Sequence, residues 1–345
     1  MRLVEIEATN RCNTRCLHCP REALSRPMGT MSWDVFRSVA DQFLRDGQFG
    51  AVYFSGMGEP TLNPELPRFV GHLRGQIATS LTTNASTLTL PKVGELVDAV
   101  LGQAVVSFCG DDQELYQLMS GGLSLAKADQ RIRELVTRGA GKLRVSANVS
   151  VAQPNQGRLP QIRAHLEDLG VHDITFAMCH NRGGHLDDPG VCQTPLPSSG
   201  QGRCDVFADT VYVAWNGQVL SCCHDLAGQG VVGDLTSEGL EQILVRKQHI
   251  VQTGVQFPMC GRCNDMYRFE RDSTPDGRPL SEWIYGLYGH PGGPHGELLD
   301  VVRRQEARIR VLEQLVGGYE RGRFIRFTRW LRRVQRTLGR RLRAS

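Results

Sequence analysis

The chain has 345 residues, of which 40% are hydrophobic and 22% are charged. This length and composition allow a sizeable buried core, so we expect one large domain with an appendage. No stretch approaches the ~20 consecutive apolar residues of a membrane-spanning helix, and Arg2, Glu5 and Glu7 interrupt the apolar run at the N-terminus. We therefore expect no secretory signal. We expect a cytoplasmic protein, whose eleven cysteines stay reduced and serve as metal ligands or reactive thiols.

The positive charge is concentrated at the C-terminal end. The formal net charge is +4, yet residues 321–345 carry ten arginines and no acidic residue. Removing these ten charges leaves −6 for residues 1–320, so the body of the protein is mildly acidic. Because the body is acidic and the basic tail carries no recognition motif, we expect no nucleic-acid partner.

Three cysteines follow the first strand-like segment, Leu3–Ala8, at Cys12, Cys16 and Cys19. Thiolates at such short spacing bind zinc or an iron–sulfur cluster, and a closed site needs four ligands. No fourth cysteine lies nearby, so one metal position stays open for a substrate or cofactor. A zinc knuckle and three unrelated thiols are the alternatives.

Apolar, β-branched runs alternate with segments of helical period along residues 1–180. The predicted strands are Leu3–Ala8, Ala51–Ser55, Ile77–Thr83, Ala104–Phe108, Leu143–Ser150 and Ile174–Cys179. The predicted helices are Ser32–Gly47, Pro64–Arg74, Pro91–Leu101, Ser124–Arg138 and Leu159–Leu169. Six βα units with right-handed crossovers predict an α/β fold, a partial (β/α)6 TIM-like barrel.

In such barrels the chemistry lies on loops at the C-terminal ends of the strands. The cysteine triplet and Gly56-Met-Gly-Glu-Pro60 both occupy such loops. Residues in or at the ends of the other strands are further candidates for the site: Asn84, Ser107, Cys109, Asn148, Cys179 and Arg182. For each of them the alternative is a structural role in a helix cap or a turn. A guanidinium binds carboxylates in a bidentate geometry, so Arg182 is a candidate for binding a carboxylate or a substrate oxygen.

The spacing C-x3-C-x2-C resembles the signature of the radical S-adenosylmethionine (SAM) enzymes. The resemblance implies a [4Fe-4S] cluster on Cys12, Cys16 and Cys19 whose open iron binds SAM, with His18 near the adenine. The run at residues 56–60 resembles the family's GGEP motif, with Met57 in place of a glycine. It implies that Gly56, Met57, Gly58 and Glu59 lie at the SAM ammonium group. An aspartate common in relatives is replaced here by Cys109.

A different pattern begins after Gly200. An Asn216-Gly217 pair between two β-rich runs predicts a two-residue type I′ hairpin, and a helix follows at about Ser237–Ile250. Four cysteines in this region are enough to close one iron–sulfur cluster or one zinc site. They are Cys204, Cys222, Cys260 and Cys263. Cys223 faces away from its neighbour and stays unassigned.

The order of these four cysteines resembles the opening of the auxiliary-cluster domain called SPASM. Phe269 stands where the full domain continues with cysteine, and no cysteine follows. The resemblance therefore implies one auxiliary [4Fe-4S] cluster, the shortened twitch arrangement of the 2-deoxy-scyllo-inosamine dehydrogenase type. We predict a barrel at residues 1–200, an auxiliary domain at 201–270 and a helical basic tail at 291–345.

The tail predicts two amphipathic helices, one at Glu297–Val316 and one whose apolar stripe runs from Phe324 to Leu338. An arginine-rich amphipathic helix suits an anionic membrane surface or a partner protein. The alternative hypothesis is that this charged helix packs on the barrel and binds neither.

The resemblance implies reductive cleavage of SAM, with a flavodoxin or ferredoxin type reductant, and hydrogen abstraction from a substrate C–H bond. An auxiliary cluster that accepts an electron turns a secondary alcohol into a ketone. A thiol that returns hydrogen makes an epimerase, with Cys109 or Cys179 as candidates. The first strand begins at residue 3, which favours a carbohydrate-like small molecule over a leader peptide. Modification of a ribosomal peptide and a non-catalytic iron–sulfur carrier are the alternatives.

Overall fold

The computed structural model describes residues 2–171, 173–186, 188–192 and 204–265. Six strands alternate with helices along residues 2–178. The strands are β1 Arg2–Ile6, β2 Phe49–Phe54, β3 Ala78–Thr83, β4 Gln103–Phe108, β5 Arg144–Val151 and β6 Asp173–Met178. The helices are α1 Trp33–Asp46, α2 Leu66–Leu73, α3 Leu90–Asp98, α4 Gln113–Ser120, α5 Leu125–Gly139 and α6 Leu159–Asp168.

Neighbouring strands from β1 to β6 all pair in parallel and in sequence order. This confirms the predicted α/β partial barrel, because parallel neighbours need the helical crossovers that the sequence pattern indicates. The core lies between this sheet and the helices. Phe36 of α1 stacks on Phe69 of α2 at a ring-centroid distance of 4.0 Å, and both rings lie beside Phe54 of β2.

Local capping signals explain where α1 and α4 begin. The hydroxyl of Ser32 accepts a hydrogen bond from the amide of Val35, and Gly47 ends α1 in the left-handed conformation. Both predictions are confirmed. Helix α4 was not predicted. It is only eight residues long, and its N-cap is Asp112, whose carboxylate accepts from the amide of Leu115.

The auxiliary region extends the same sheet. It contains α7 Asp205–Asp209, β7 Thr210–Val213, β8 Gln218–Leu220, β9 Val231–Asp234 and α8 Leu240–Thr253. Strand β7 pairs in parallel with β1, and β8 and β9 follow as antiparallel strands. The auxiliary hairpin therefore lies directly beside the strand that leads into the cysteine triplet.

The predicted type I′ turn at Asn216-Gly217 is wrong. The loop spans Ala214–Gly217, closed by a hydrogen bond from the Gly217 amide to the Ala214 carbonyl. Of these four residues, Gly217 alone has a positive φ, 91°. A four-residue loop with one left-handed glycine replaces a two-residue loop that needs two left-handed positions.

Within the part of the chain that the structure describes, no helix is both long and apolar enough to span a bilayer. The predicted tail, 291–345, lies outside the described residues. The domain limits 1–200 and 201–270 stay predictions.

Candidate active site

A cavity opens at the C-terminal ends of the parallel strands, where barrel enzymes place their chemistry. It brings together most of the predicted site residues. Its lining is Glu5, Cys12, Thr14, Cys16, His18, Cys19, Arg21, Ser55, Gly56, Met57, Gly58, Glu59, Thr82, Thr83, Asn84, Ser107, Asn148, Ser150, Arg182 and Cys223.

The cysteine loop brings its three thiols together. The hydroxyl of Thr14 lies 3.3 Å from the sulfur of Cys12 and 3.5 Å from that of Cys16. Burial, with a smaller effect from the thiols of Cys19 and Cys12, raises the pKa of Cys16 to about 11. Because thiolates are the metal ligands, binding a metal here must displace protons from these thiols.

Helix α4 supports the cysteine loop from outside. The amide of Leu17 donates to the carbonyl of Met119 at 3.0 Å, and the thiol of Cys16 lies 3.5 Å from the carbonyl of Ser120. At Gly121, just after α4, a Cβ atom would overlap the carbonyl of Arg15. The C-terminal turn of α4 therefore holds the middle of the cysteine loop in place.

The glycine run after β2 lies against the start of the cysteine loop. The amide of Glu59 donates to the carbonyl of Arg11 at 2.9 Å. A Cβ atom on Gly58 would overlap the carbonyl of Thr9 and lie 2.7 Å from that of Arg11. Gly58 therefore permits close backbone contact between the two sequence motifs.

A buried ionic network, missed by sequence reasoning, lies beneath the cavity. The guanidinium of Arg26 donates to both carboxylate oxygens of Glu7, at 2.7 and 2.6 Å. The Tyr212 hydroxyl donates to Glu7 at 2.7 Å, and the Met57 amide donates at 3.3 Å. Glu7 thereby joins β1 to the β2 loop and to the auxiliary strand β7. Alternation along β1 places Glu7 and Glu5 on the same face, but the partners are distant in sequence.

We expect Arg26→Ala to lower the free energy of unfolding by about 3–5 kcal/mol, because it leaves the fully buried Glu7 carboxylate without its ionic partner. Anaerobic denaturation followed by circular dichroism measures the change. Arg133→Ala is the matched control, since it removes an exposed pair with Asp168 and should cost about 0–1 kcal/mol. Equal losses in the two variants would contradict a dominant role for the buried pair.

Glu5 and Arg182 both line the cavity, and the sequence alone did not suggest that they lie together. Burial raises the pKa of the Glu5 carboxyl, while the hydrogen bond from Ser55 at 2.5 Å and the charge of Arg182 act in the opposite direction. Glu5 was missed because it belongs to a strand rather than a motif, and its only sequence signal is an acidic residue in a buried-strand pattern.

The four auxiliary cysteines also lie together. Burial, and then the nearby thiols of Cys204, Cys263 and Cys260, raise the pKa of Cys222. Cys222 follows β8, whereas Cys260 and Cys263 flank a short turn in which the Cys263 amide donates to the Cys260 carbonyl. The chain therefore brings three separate segments, which contain Cys204, Cys222 and the pair Cys260 and Cys263, to one four-thiol site.

The four remaining cysteines lie in different surroundings. Cys109 and Cys179 are buried, and neither is among the described residues that line the cavity. The thiol of Cys192 donates to the carbonyl of Cys179 at 2.9 Å, and burial raises the pKa of Cys109. Cys223 does line the cavity. Cys222 follows β8 and lies with the auxiliary thiols, whereas Cys223, the next residue, lines the cavity at the strand ends.

Residues 6–155 match the model of the Radical SAM superfamily, and residues 204–264 match that of SPASM, an iron-sulfur cluster-binding domain. The chain contains a radical SAM domain and a SPASM domain. These two domains bind a [4Fe-4S] cluster with SAM and an auxiliary iron–sulfur cluster, and they confirm the predicted cofactors. Which cysteines hold each cluster stays a prediction.

Curated relatives match between 50% and 70% of this chain. The tungsten-containing aldehyde ferredoxin oxidoreductase cofactor-modifying protein of Pyrococcus furiosus is 29% identical, over 50% of this chain and 49% of its own. PqqA peptide cyclase of Bradyrhizobium diazoefficiens is 32% identical, over 50% and 45%. The chain thus spans about half the length of these two. The SAM-dependent 2-deoxy-scyllo-inosamine dehydrogenase of Niallia circulans is 22% identical, over 70% and 81%.

Solved structures show the same fold. BtrN in complex with AdoMet and 2-DOIA has a TM-score of 0.52 at 19% identity, covering 76% of this chain and 93% of that one. Streptococcus suis SuiB bound to precursor peptide SuiA has a TM-score of 0.62 at 13% identity, covering 78% and 70%. At these identities the likeness concerns the fold alone.

The cavity residues fit a bound cluster and SAM. Two buried atoms lining the cavity, Nδ1 of His18 and Oδ1 of Asn148, have no hydrogen-bond partner among the described residues, which suits a polar ligand. Burial and the charge of Arg182 lower the pKa of His18 to about 4, so its ring is neutral near pH 7. Three close thiols complete this fit.

Glu59 has a visible structural role. Its carboxylate accepts hydrogen bonds from the side chains of Thr61 and Thr83 and from the amides of Thr61 and Asn84. These bonds join the β2 loop to the end of β3. The predicted contact of Glu59 with the SAM ammonium stays a prediction, as do the binding roles of Gly56, Met57, Asn84 and Ser107.

We expect Gly58→Ala to weaken SAM binding by at least about tenfold, because the added methyl group meets two backbone carbonyls and must push the glycine run away from the cysteine loop. Equilibrium titration of the reconstituted protein with SAM measures this. Gly71→Ala in α2 is the control, since nothing lies within 4 Å of its added Cβ. Unchanged affinity in Gly58→Ala would show that the two loops need not touch.

Proposed function

We propose that the chain is a radical SAM oxidoreductase that oxidises a secondary alcohol of a small, carbohydrate-like molecule to a ketone. The observation that carries the proposal is the cavity, where three thiols at the strand ends face Glu5, Arg182 and several hydroxyl and amide groups. Such a lining suits a hydroxylated molecule better than an apolar side chain. The inosamine dehydrogenase, whose match extends over 70% of this chain and 81% of its own length, supports the same class.

The chain's cysteines hold the two cofactors in this proposal. Cys12, Cys16 and Cys19 bind one cluster and leave an iron open for SAM, while the four auxiliary thiols close the second cluster. When bound, SAM with its cluster supplies a carbon radical that takes a hydrogen atom, and the auxiliary cluster supplies an electron acceptor.

Glu5 is proposed to accept the hydrogen bond, and then the proton, of the substrate hydroxyl. Oxidation of an alcohol removes the carbon-bound hydrogen, one electron and the hydroxyl proton, so a proton acceptor is needed. The Glu5 carboxylate lines the cavity, and the Ser55 hydroxyl orients it. Its raised pKa brings the acceptor closer to neutral pH, which favours proton transfer. Arg182 is proposed to hold a substrate oxygen or the SAM carboxylate.

We expect Glu5→Gln to lower kcat/KM by about 100-fold, since a positioned base contributes about that much or more. Only the ionised carboxylate accepts a proton, so wild-type activity should rise with pH through the raised Glu5 pKa. Ser55→Ala should move this acid limb to higher pH, because the Ser55 hydrogen bond lowers that pKa. A pH–rate profile measures both. An acid limb that persists in Glu5→Gln would assign it to another group.

Epimerisation is the second candidate function. Cys223 is a better candidate for its hydrogen donor than Cys109 or Cys179, because Cys223 lines the cavity and the other two are not among its described lining residues. A thiol in the cavity can give a hydrogen atom to the substrate carbon. The resulting thiyl radical then needs one electron and one proton to restore the thiol.

Mass spectrometry of the product separates these outcomes. Oxidation yields a product lighter by two hydrogens, and Cys223→Ala should still form it. Epimerisation yields an isomer of equal mass, carries solvent deuterium at one carbon, and stops in Cys223→Ala while 5′-deoxyadenosine still forms. Such an isomer would overturn the dehydrogenase proposal.

The alternative substrate, the location, the reductant and the role of the tail are inferred from the sequence and from relatives. A peptide substrate would follow PqqA peptide cyclase and SuiB, whose names refer to peptides. We propose a cytoplasmic location with a flavodoxin or ferredoxin type reductant. For the tail, 291–345, we propose a membrane surface or a partner protein.

A further inference from the structure

We propose that the amide pair Asn181 and Asn264 positions Arg182 in the active cavity by joining two segments of the chain. The first is the arginine loop, residues 180–184, which follows β6. The second is the auxiliary turn, residues 259–265, which contains Cys260 and Cys263. The inference rests on the proposed function only in giving Arg182 a binding role in the cavity.

The arginine loop has a backbone that needs outside support. Arg182 has φ of +50°, and Gly183 and Gly184 follow with φ of +71° and +81°. A left-handed conformation is uncommon for a residue with a side chain, and it persists where the surroundings hold it. Glycine meets no such penalty, so Arg182 is the strained position of the three.

The auxiliary turn supplies this support through a reciprocal amide pair. The Asn181 amide donates to Oδ1 of Asn264 at 2.6 Å, and the Asn264 amide donates to Oδ1 of Asn181 at 3.2 Å. The side-chain amide of Asn181 also donates to the Arg262 carbonyl at 2.6 Å. Asn264 is 5% exposed, so water competes little for these bonds.

The two segments also pack without space between them. A Cβ atom on Gly183 would lie 3.1 Å from Cβ of Met259, and one on Gly184 would lie 2.8 Å from Cβ of Arg262. Both contacts are with the auxiliary turn. The arginine loop therefore sits on this turn through backbone that has no room for side chains.

Two histidines then orient Arg182. Its amide donates to Nδ1 of His180 at 3.3 Å, and its guanidinium lies 3.4 Å from Nε2 of His224. His180, His224 and Asp265 have the composition of a metal site. However, acceptance at Nδ1 gives the His180 proton to Nε2, the atom facing Asp265 at 3.7 Å. The cluster is thus better described as a polar support for the arginine.

The arrangement links the two halves of the active site. Disorder in the auxiliary turn would remove the hydrogen bonds that hold the left-handed loop, and Arg182 would leave the cavity. Asn181 and Asn264 are therefore positioning residues. They act through Arg182, and neither lines the cavity among the described residues.

Alkylation of Cys223 in the reconstituted protein without SAM tests this. Cys223 and Arg182 line the same cavity, so the cation favours anionic iodoacetate over neutral iodoacetamide. The ratio of the two rates, measured by peptide mass spectrometry, cancels differences in thiol ionisation. We expect Arg182→Gln to lower this ratio by about fivefold. Asn264→Ala should lower it by the same factor, and the double variant should lower it no further.

Asn216→Ala is the matched control, because it removes an auxiliary amide that contacts Gln218 instead, and its ratio should stay at the wild-type value. An unchanged ratio in either Arg182→Gln or Asn264→Ala would overturn the proposal, as would additive effects in the double variant. Iron content shows whether each variant assembles, and Asn181→Ala replaces Asn264→Ala if that variant loses iron. A crystal structure of the assembled variant decides independently: Arg182 retaining its left-handed φ inside the cavity would contradict the inference. No substrate or turnover is involved, so failure of the proposed function leaves this result unaffected.

Discussion

Replacement of Cys12, Cys16 and Cys19 together with alanine is expected to remove one of two clusters and to abolish SAM cleavage. The wild-type protein should contain about eight irons, and the variant about four. The reason is the number of ligands, because three cysteines leave an iron open whereas four close the cluster. Iron analysis and chromatographic assay of 5′-deoxyadenosine after anaerobic reduction measure both quantities.

The same experiment separates an enzyme from an electron carrier. A carrier with two clusters has no need to bind SAM at an open iron, so its reduced form would not cleave SAM. Persistent cleavage in the triple variant would show that another set of ligands holds the reactive cluster. About four irons with one zinc in the wild-type protein would reject the auxiliary iron–sulfur cluster.

Replacement of the four auxiliary cysteines is expected to stop product formation while some SAM cleavage continues. The two thiol sets are separate. The thiols of Cys19 and Cys12 affect the pKa of Cys16, whereas the other three auxiliary thiols affect the pKa of Cys222. Loss of the auxiliary site therefore removes the electron acceptor without removing the open iron.

The ratio of product to 5′-deoxyadenosine measures this uncoupling, and it should fall below about one hundredth of the wild-type value. Thr253→Ala at the end of α8 is a control in the same region, because its hydroxyl contacts only the helix backbone in the bonds observed. Normal product formation by the variant without the auxiliary cysteines would contradict the electron-acceptor role.

The barrel was predictable because its signals are local. Each strand is a short apolar run, and Ser32 and Gly47 mark the ends of α1 through capping that involves nearby residues. The cysteine triplet and the glycine run lie at strand ends for the same reason. Once parallel strands are expected, their C-terminal ends must meet at one edge.

The rest of the site depends on contacts between distant residues. Glu5 lies on β1 and Glu7 directly follows this strand, yet Glu5 faces the cavity and Glu7 binds Arg26 and Tyr212. Neither partner is suggested by spacing. Alternation predicts that Cys222 and Cys223 face opposite ways, but only the pairing of β7 with β1 shows that one side is the active cavity.

The central claim is that the chain abstracts hydrogen from the hydroxyl-bearing carbon of a carbohydrate-like substrate. Anaerobic incubation of the reduced protein with SAM and candidate polyols, each deuterated at its carbinol carbons, measures this directly. We predict that one deuterium from one carbinol position appears in 5′-deoxyadenosine, together with the ketone. SAM cleavage without deuterium transfer from any polyol, but with transfer from a deuterated peptide, would contradict the claim.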